Sequence, residues 1–303
     1  MNRQLLLVFA VTVFAFSSCK KDALLVPDND PPDYSDVPTV LIENYVNRIY
    51  IDLIGREPLD LEMEADVQLL KDNLLDVPTR LDIITRLQSD TSFVAGDSSY
   101  KHAYYYRFYQ STKAKMLEGT SDGEILQDIG NLYFAITVDS LLGDSIAIAN
   151  DRLALEKLES ILKIHIQYRE DSIEISEVFF RLCNNSFYDQ INMNTFNFVN
   201  ASFDNLFYRF PTDNELYTGM AMVDDNTPGI ILGESGENKG DYLTILTQSG
   251  EFFQGMITWA YLQLVAREPD AAEVDAIMQT FYYDHDFQKV QQVIMITDEY
   301  ANF

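Results

Sequence analysis

Two cysteines in 303 residues are too few for a disulfide framework or a cysteine-rich zinc site. Basic residues are scarce too: 21 Lys and Arg stand against 48 Asp and Glu, a formal net charge of −27. A field of that sign repels phosphate backbones and anionic lipid alike, so binding to nucleic acid, or to a lipid surface by charge, is not expected. Three histidines are present, His102, His165 and His285, far apart and without the paired spacing of a metal or catalytic motif. Apolar–polar alternation is rare, and the best strand candidate is the short Gly229-Ile230-Ile231-Leu232-Gly233. What is abundant is apolar side chain. With 47% hydrophobic and 23% charged residues, the chain has enough to bury a core and is not composed like a disordered tail.

The one long apolar run lies at the N-terminus. Met1-Asn2-Arg3 supplies a short basic start, and Leu5 to Phe16 is apolar apart from Thr12. It has about half to two-thirds of the roughly 20 residues a spanning helix needs, which fits a secretory signal better than an anchor. Phe16-Ser17-Ser18-Cys19-Lys20-Lys21-Asp22 follows, and it resembles a bacterial lipobox: small residues before a cysteine, polar ones directly after. The resemblance implies a signal peptide over residues 1–18 and a lipid (palmitate-type acylation) on Cys19, the mature N-terminus. Loss of Arg3 then leaves 20 bases against 48 acids, or −28. The Cys-Lys-Lys-Asp start is similar to lipoproteins of the Bacteroidota, which implies an outer-membrane anchor with the periplasmic or cell-surface face left open. Residues 19–39 read as a stiff Pro/Asp tether, because proline removes donors and like charges repel. Asp28-Asn29-Asp30 lacks the turn glycine and later glutamate of a calcium loop.

Beyond the tether, apolar residues recur at helical spacing. Tyr45, Ile49, Tyr50, Leu53 and Ile54 share one face, as do Leu155, Leu158, Leu162 and Ile166 in a long segment from about Ser145 to Cys183, where Glu159 and Lys163 stand at a supportive i,i+4 spacing. These patterns predict an all-α fold with little or no sheet, in an N-terminal helical domain over 40–190 and a C-terminal one over 191–303.

One pattern occurs three times: aromatic, two residues, Leu, apolar, any, Arg, any, Pro, three residues, Glu, apolar. It runs from Tyr50 through Arg56, Pro58 and Glu62 to Met63, from Phe203 through Arg209, Pro211 and Glu215 to Leu216, and from Tyr261 through Arg267, Pro269 and Glu273 to Val274. It describes a helix–turn–helix corner. The first helix must end before proline, whose ring disfavours helical backbone in the preceding residue. Thr212 and Asp270 are then N-caps, with Glu215 and Glu273 closing capping boxes. In the first copy Leu59 takes the cap position, so that cap is defective or shifted to Asp60. The three arginines stand where a cation meets the negative end of the first helix and can bond its last carbonyls, a structural rather than catalytic job.

Each corner is followed by a second apolar helix and a polar-aromatic ending: Leu87 to Phe93, Thr247 to Phe253, and Ile296 to Tyr300. Together these features resemble helical modules of the DUF1549-like and DUF4214-like domains of unknown function, over about 41–95 and 195–303. The resemblance implies an extracytoplasmic helical module with no established chemistry. The Cys-x-x-Cys-His haem signature of cytochrome partners is absent, so no cofactor is implied.

Between the first corner and the later pair, Ser98–Glu118 contains Tyr104-Tyr105-Tyr106-Arg107-Phe108-Tyr109 and ends at Gly119; Ser121 and Glu124 then open a new helix with a capping box. Aromatics around that turn can stack on sugar rings, although a helical core uses the same residues. Catalytic motifs are not found. Asp284-His285-Asp286 reads as a solvated turn rather than a metal site. Gly233-Glu234-Ser235-Gly236-Glu237 carries Glu237 where a nucleophile elbow needs glycine, and Gly233–Asp241 reads as a flexible loop. Cys183 is a lone, half-buried thiol. Asp139-Ser140-Leu141, Asp144-Ser145-Ile146 and Asp171-Ser172-Ile173 look like Bacteroidota O-glycosylation sequons and equally like helix starts. The expectation is a lipid-anchored, non-catalytic binding or assembly subunit of an outer-membrane complex with an envelope protein partner; an enzyme stays open. The alternative is a surface glycan-binding lipoprotein using Tyr104, Tyr105 and Tyr106.

Overall fold

The computed structural model describes residues 33–303, so the apolar leader, Cys19 and the tether up to Pro32 lie outside the described residues. Sixteen helices and one two-stranded sheet make up the described chain, an all-α fold. Helix α1 (Thr39–Ile54) starts directly after Pro38, held extended, and stops at Gly55, whose φ of 78° a side chain would resist. All five apolar residues expected on its face are buried. Helices α2 (Asp60–Asp72) and α3 (Val77–Ser89) follow, the latter capped by Asp76. Ser99 caps α4 (Tyr100–Met116), and the chain leaves it through Glu118 and Gly119, both left-handed.

The expected box at Ser121 and Glu124 opens α5 (Asp122–Leu142). Asp144 caps α6 (Ser145–Leu162), which lies antiparallel along α5. The long segment to Cys183 is three helices: α6, then α7 (Ile164–Arg169), which follows directly after Lys163, and α8 (Ile175–Cys183), set apart from α7 where Asp171 takes φ of 52°. Glu159 and Lys163 do pair, at 3.1 Å. Helices α9 (Ser186–Asn192), α10 (Thr195–Phe207) and α11 (Asp213–Asp225) lead into β1 (Gly229–Ile231), the strand expected there. It pairs antiparallel with β2 (Glu234–Gly236), so Gly233–Asp241 is not a flexible loop: a third of it is a hairpin strand, and Asn238 caps α12 (Lys239–Gln248). Helices α13 (Gly250–Val265), α14 (Ala271–Asp284), α15 (Phe287–Met295) and α16 (Asp298–Ala301) complete the fold.

Val37–Phe303 form one compact unit, so the expected division near residue 190 does not separate two cores. Trp259 of α13 stacks on Phe287 of α15 at 5.4 Å and meets Phe108 of α4 and Phe179 of α8 at 6.1 and 5.9 Å. The two ends of the unit also interlock. Arg48 on α1 donates to the carbonyls of Tyr300 (2.6 Å) and Leu264, Tyr45 Oη donates to the Met295 carbonyl (3.1 Å), and Tyr300 Oη donates to Asp52 (2.8 Å). Arg80 of α3, fully buried, reaches the Ile296 carbonyl at 3.0 Å and Asp298 at 2.7 Å. A buried guanidinium needs such partners, since leaving it unpaired costs several kcal/mol. Gly255 lets α13 cross α10 closely: a Cβ there would stand 1.9 Å from the Leu206 carbonyl oxygen.

Candidate functional site

The three corners share one geometry. Each first helix ends in a left-handed residue directly before the arginine: Gly55, Tyr208 and Ala266, with φ of 78°, 57° and 56°. That turn throws the guanidinium over the aromatic residue six positions earlier. Arg56 lies 5.6 Å from the Tyr50 ring, Arg209 4.9 Å from Phe203, and Arg267 5.1 Å from Tyr261. Its two terminal nitrogens then grip the glutamate of the next helix. The bidentate pairs are Arg56–Glu62 at 2.7 and 2.9 Å, Arg209–Glu215 at 2.9 and 2.8 Å, and Arg267–Glu273 at 2.8 and 2.7 Å. Planar fork against planar carboxylate is a pairing lysine cannot reproduce.

The remaining Nε takes a second carboxylate from a later element: Asp97 (2.5 Å), Glu251 (2.7 Å) and Glu299 (2.6 Å). Glu251 and Glu299 belong to the expected polar-aromatic endings. In the first copy the acid is not in the Leu87–Phe93 ending; Asp97, in the loop before α4, replaces it. Tyr100 adds a bond from its hydroxyl to Glu62 at 2.6 Å. The arginines do not bond the last carbonyls of the first helix as expected. The carbonyl each one takes is that of the next residue, Glu57, Phe210 or Glu268.

Each glutamate also accepts from the N-cap amide of its helix, at 2.7 Å from Leu59, 2.7 Å from Thr212 and 2.8 Å from Asp270. The Thr212 and Asp270 side chains return the bond to Glu215 N and Glu273 N. Leu59 has no acceptor to return, so the first copy keeps half a box and the helix is not recapped at Asp60. All three glutamates ionise far more readily than a free one. Burial raises Glu62, but bonds from Arg56, Tyr100 and the Leu59 amide bring it down to about 2. Bonds from Arg209 and from Arg267 hold Glu215 and Glu273 at about 2. Arg, Glu and the second acid thus satisfy one another. These are three separate joints rather than one pocket, and Pro58, Pro211 and Pro269 mark the turn in each.

Helix α4 divides its tyrosines between core and surface. Tyr104 and Tyr105 are buried, their rings edge-on at 5.1 Å. Burial pushes Tyr104 well up and Tyr105 up to about 12. Only Tyr106 of the three is exposed, in a cleft of about 440 Å³ that it lines with His102, Arg107 and Gln110. The Asp284-His285-Asp286 turn is used structurally: His285 ends α14 in left-handed backbone with its Nδ1 2.7 Å from a Glu174 carboxylate oxygen, and Asp286 caps α15. Cys183 is fully buried rather than half-buried, and burial pushes its thiol up to about 12. Ser140, Ser145 and Ser172 are all exposed. Among the described residues no helix is long and apolar enough to cross a membrane.

The feature that sequence reasoning missed is the α5–α6 arm. Helix α6 packs on α7 and α8, whereas α5 lies along α6 and is pinned to α4 at its first turn, where Asp122 accepts from Tyr109 Oη (2.7 Å) and from Lys113. Ile125, Ile129, Leu132 and Ile136 form a seam of buried and half-buried residues at helical spacing. A second stripe, Leu126, Tyr133, Phe134 and Leu141, runs down the solvent side, with Phe134 72% and Leu141 84% exposed. Leu142 and Ile146 extend it around the tip, 75% and 74% exposed. The signal was a helix apolar on two faces, visible in the spacing once the seam is subtracted.

Comparison of the chain with protein-family models, curated proteins and solved structures finds no match.

Proposed function

We propose that this protein is a cell-envelope lipoprotein, lipid-anchored to the outer membrane through Cys19, that acts as a non-catalytic binding or assembly subunit of an outer-membrane complex. The observation that carries the assembly role is the arm. Large apolar residues scattered singly on a surface need no explanation, but a contiguous stripe along a projecting helix marks a surface built for a partner. Burying one such side chain is worth about 1.5–3 kcal/mol, and leaving several in water withholds that stabilisation from the free protein. The joints support the same reading, because their arginines and glutamates are committed to one another and to the helix ends they hold.

The test is crosslinking in intact cells followed by purification of the lipoprotein, with external protease treatment to assign the membrane face. A reproducible set of outer-membrane partners is expected, together with radiolabelled palmitate incorporation that Cys19→Ala abolishes. A lipid-free, monomeric protein without crosslinked neighbours defeats the proposal. A glycan-binding role has one observation in its favour, Tyr106 in the cleft with His102, Arg107 and Gln110. Retention on a polysaccharide affinity gel that Tyr106→Ala removes is the result that supports it.

A further inference from the structure

We infer that the outward face of α5 receives a cationic amphipathic helix belonging to another protein. This rests on the assembly reading above and names the chemistry of the partner. Leu126, Gly130, Tyr133, Phe134, Thr137 and Leu141 stand at i, i+4, i+7, i+8, i+11 and i+15, the spacing of one continuous helical stripe. At about 1.5 Å per residue it extends roughly 22 Å, the length of four helical turns. Gly130 lies within it, and a Cβ at that position would meet nothing within 4 Å, so another backbone can approach there. A helix laid on this stripe converts the two-helix arm into a three-helix bundle, the arrangement in which two apolar faces on one helix are both buried.

Charge decides which helix. Helix α5 carries Asp122, Glu124, Asp128 and Asp139 and no basic residue. Across residues 122–162 eight acids stand against Arg152 and Lys157. A second copy of this chain would bring an arm of the same sign against the first, from a body of net charge −27. An anionic membrane surface is repelled for the same reason. A helix with apolar residues at heptad spacing and Lys or Arg among its other positions satisfies both the stripe and the net negative charge of the arm, and charge complementarity of this kind sets partner choice.

The experiment uses the full chain, the double variant Phe134→Ser/Leu141→Ser, and Phe93→Ser as a control at an exposed apolar residue outside the arm. The probe is a fluorescent synthetic helix of about 18 residues, with leucine at heptad core positions and lysine beside them, and its counterpart with glutamate in place of lysine. Because the substituted residues are solvent-facing, all variants should keep the wild-type helical signal and unfolding midpoint. Anisotropy should show the lysine peptide bound by wild type and by Phe93→Ser, at least about tenfold more weakly by the double variant, and less well as salt rises. The glutamate peptide should remain unbound.

Equal affinity of wild type and double variant overturns the inference. So does a wild-type dimer in sedimentation that the double variant abolishes, or flotation with zwitterionic vesicles that it abolishes, since these place a second copy or lipid on the stripe. Crosslinking in cells separates the two levels. Partners captured equally by wild type and double variant leave the assembly reading standing and remove the role of α5. No captured partner at all removes both.

Discussion

Replacing the repeat arginines with lysine should weaken the protein in a fixed order: Arg56 most, Arg209 next, Arg267 least. Lysine keeps the charge and loses the fork, so each change removes the bidentate grip, the Nε bond to the second acid and the guanidinium face over the aromatic ring. Solvent exposure of the partners sets how much that matters. In the first joint the arginine, glutamate and second acid are 24%, 12% and 15% exposed, in the second 34%, 13% and 39%, and in the third 38%, 28% and 46%. A hydrogen bond to a charged group contributes about 1.5–3 kcal/mol when sheltered, while exposed ion pairs contribute about 0–1 kcal/mol. Arg56→Lys is therefore expected to cost about 2–3 kcal/mol, Arg209→Lys about 1–2 kcal/mol, and Arg267→Lys under about 1 kcal/mol. Urea unfolding followed by circular dichroism, with the slope checked for constancy, reads these differences as midpoint shifts. Three equal costs, or an order with Arg267 first, would refute the reasoning that shielding from water governs the joints.

The pH dependence of the second joint follows from Glu215, held at about 2 against 4.5 for a free glutamate. A carboxyl depressed in the folded state contributes fully above 4.5 and loses that contribution as pH falls through about 2. Glu215→Gln should therefore cost about 1–2 kcal/mol at neutral pH, after allowing for solvent at Arg209, and progressively less toward pH 2; a gap that stays constant down to acid pH contradicts this. Gly255→Ala sets a methyl against the Leu206 carbonyl and should cost about 3 kcal/mol or more, read as a lowered melting temperature. A melting temperature within error of wild type would show that α10 and α13 separate without strain. Cys183 should resist thiol reagents near about pH 8 in the native protein and react at the rate of unfolding, because the thiolate is the reactive form and burial disfavours it; fast labelling of the folded protein removes that account.

Local order is largely legible in the sequence. The faces of α1, the corners, the capping boxes at Ser121, Thr212 and Asp270, and the strand at Gly229 all follow from short-range chemistry, which spacing records. What was not legible depends on residues distant in sequence. Asp97 lies 41 positions from Arg56, in a loop that local rules assign no role. The single core arises because Trp259 meets Phe108 and Phe179, and no periodicity reports which helices will touch. The second stripe on α5 was hidden by its own seam: a helix apolar on two sides reads as an ordinary core helix until its neighbours are known. Tyr104 and Tyr105 misled for the converse reason, since exposure is a property of packing and their letters are the same in either place.

The clasp between α1 and the segment Met295–Phe303 has a bearing on the timing of folding. Synthesis delivers Arg48, Tyr45 and Arg80 roughly 200 or more residues before the carbonyls and carboxylate that receive them. Until Met295, Ile296, Asp298 and Tyr300 emerge, the bonds that Arg48, Tyr45 and Arg80 make to them are unmade, and closing so long a loop is the slow part of forming them. The fold is thus fastened across more than 200 residues, by contacts that form only when both of these distant segments are present.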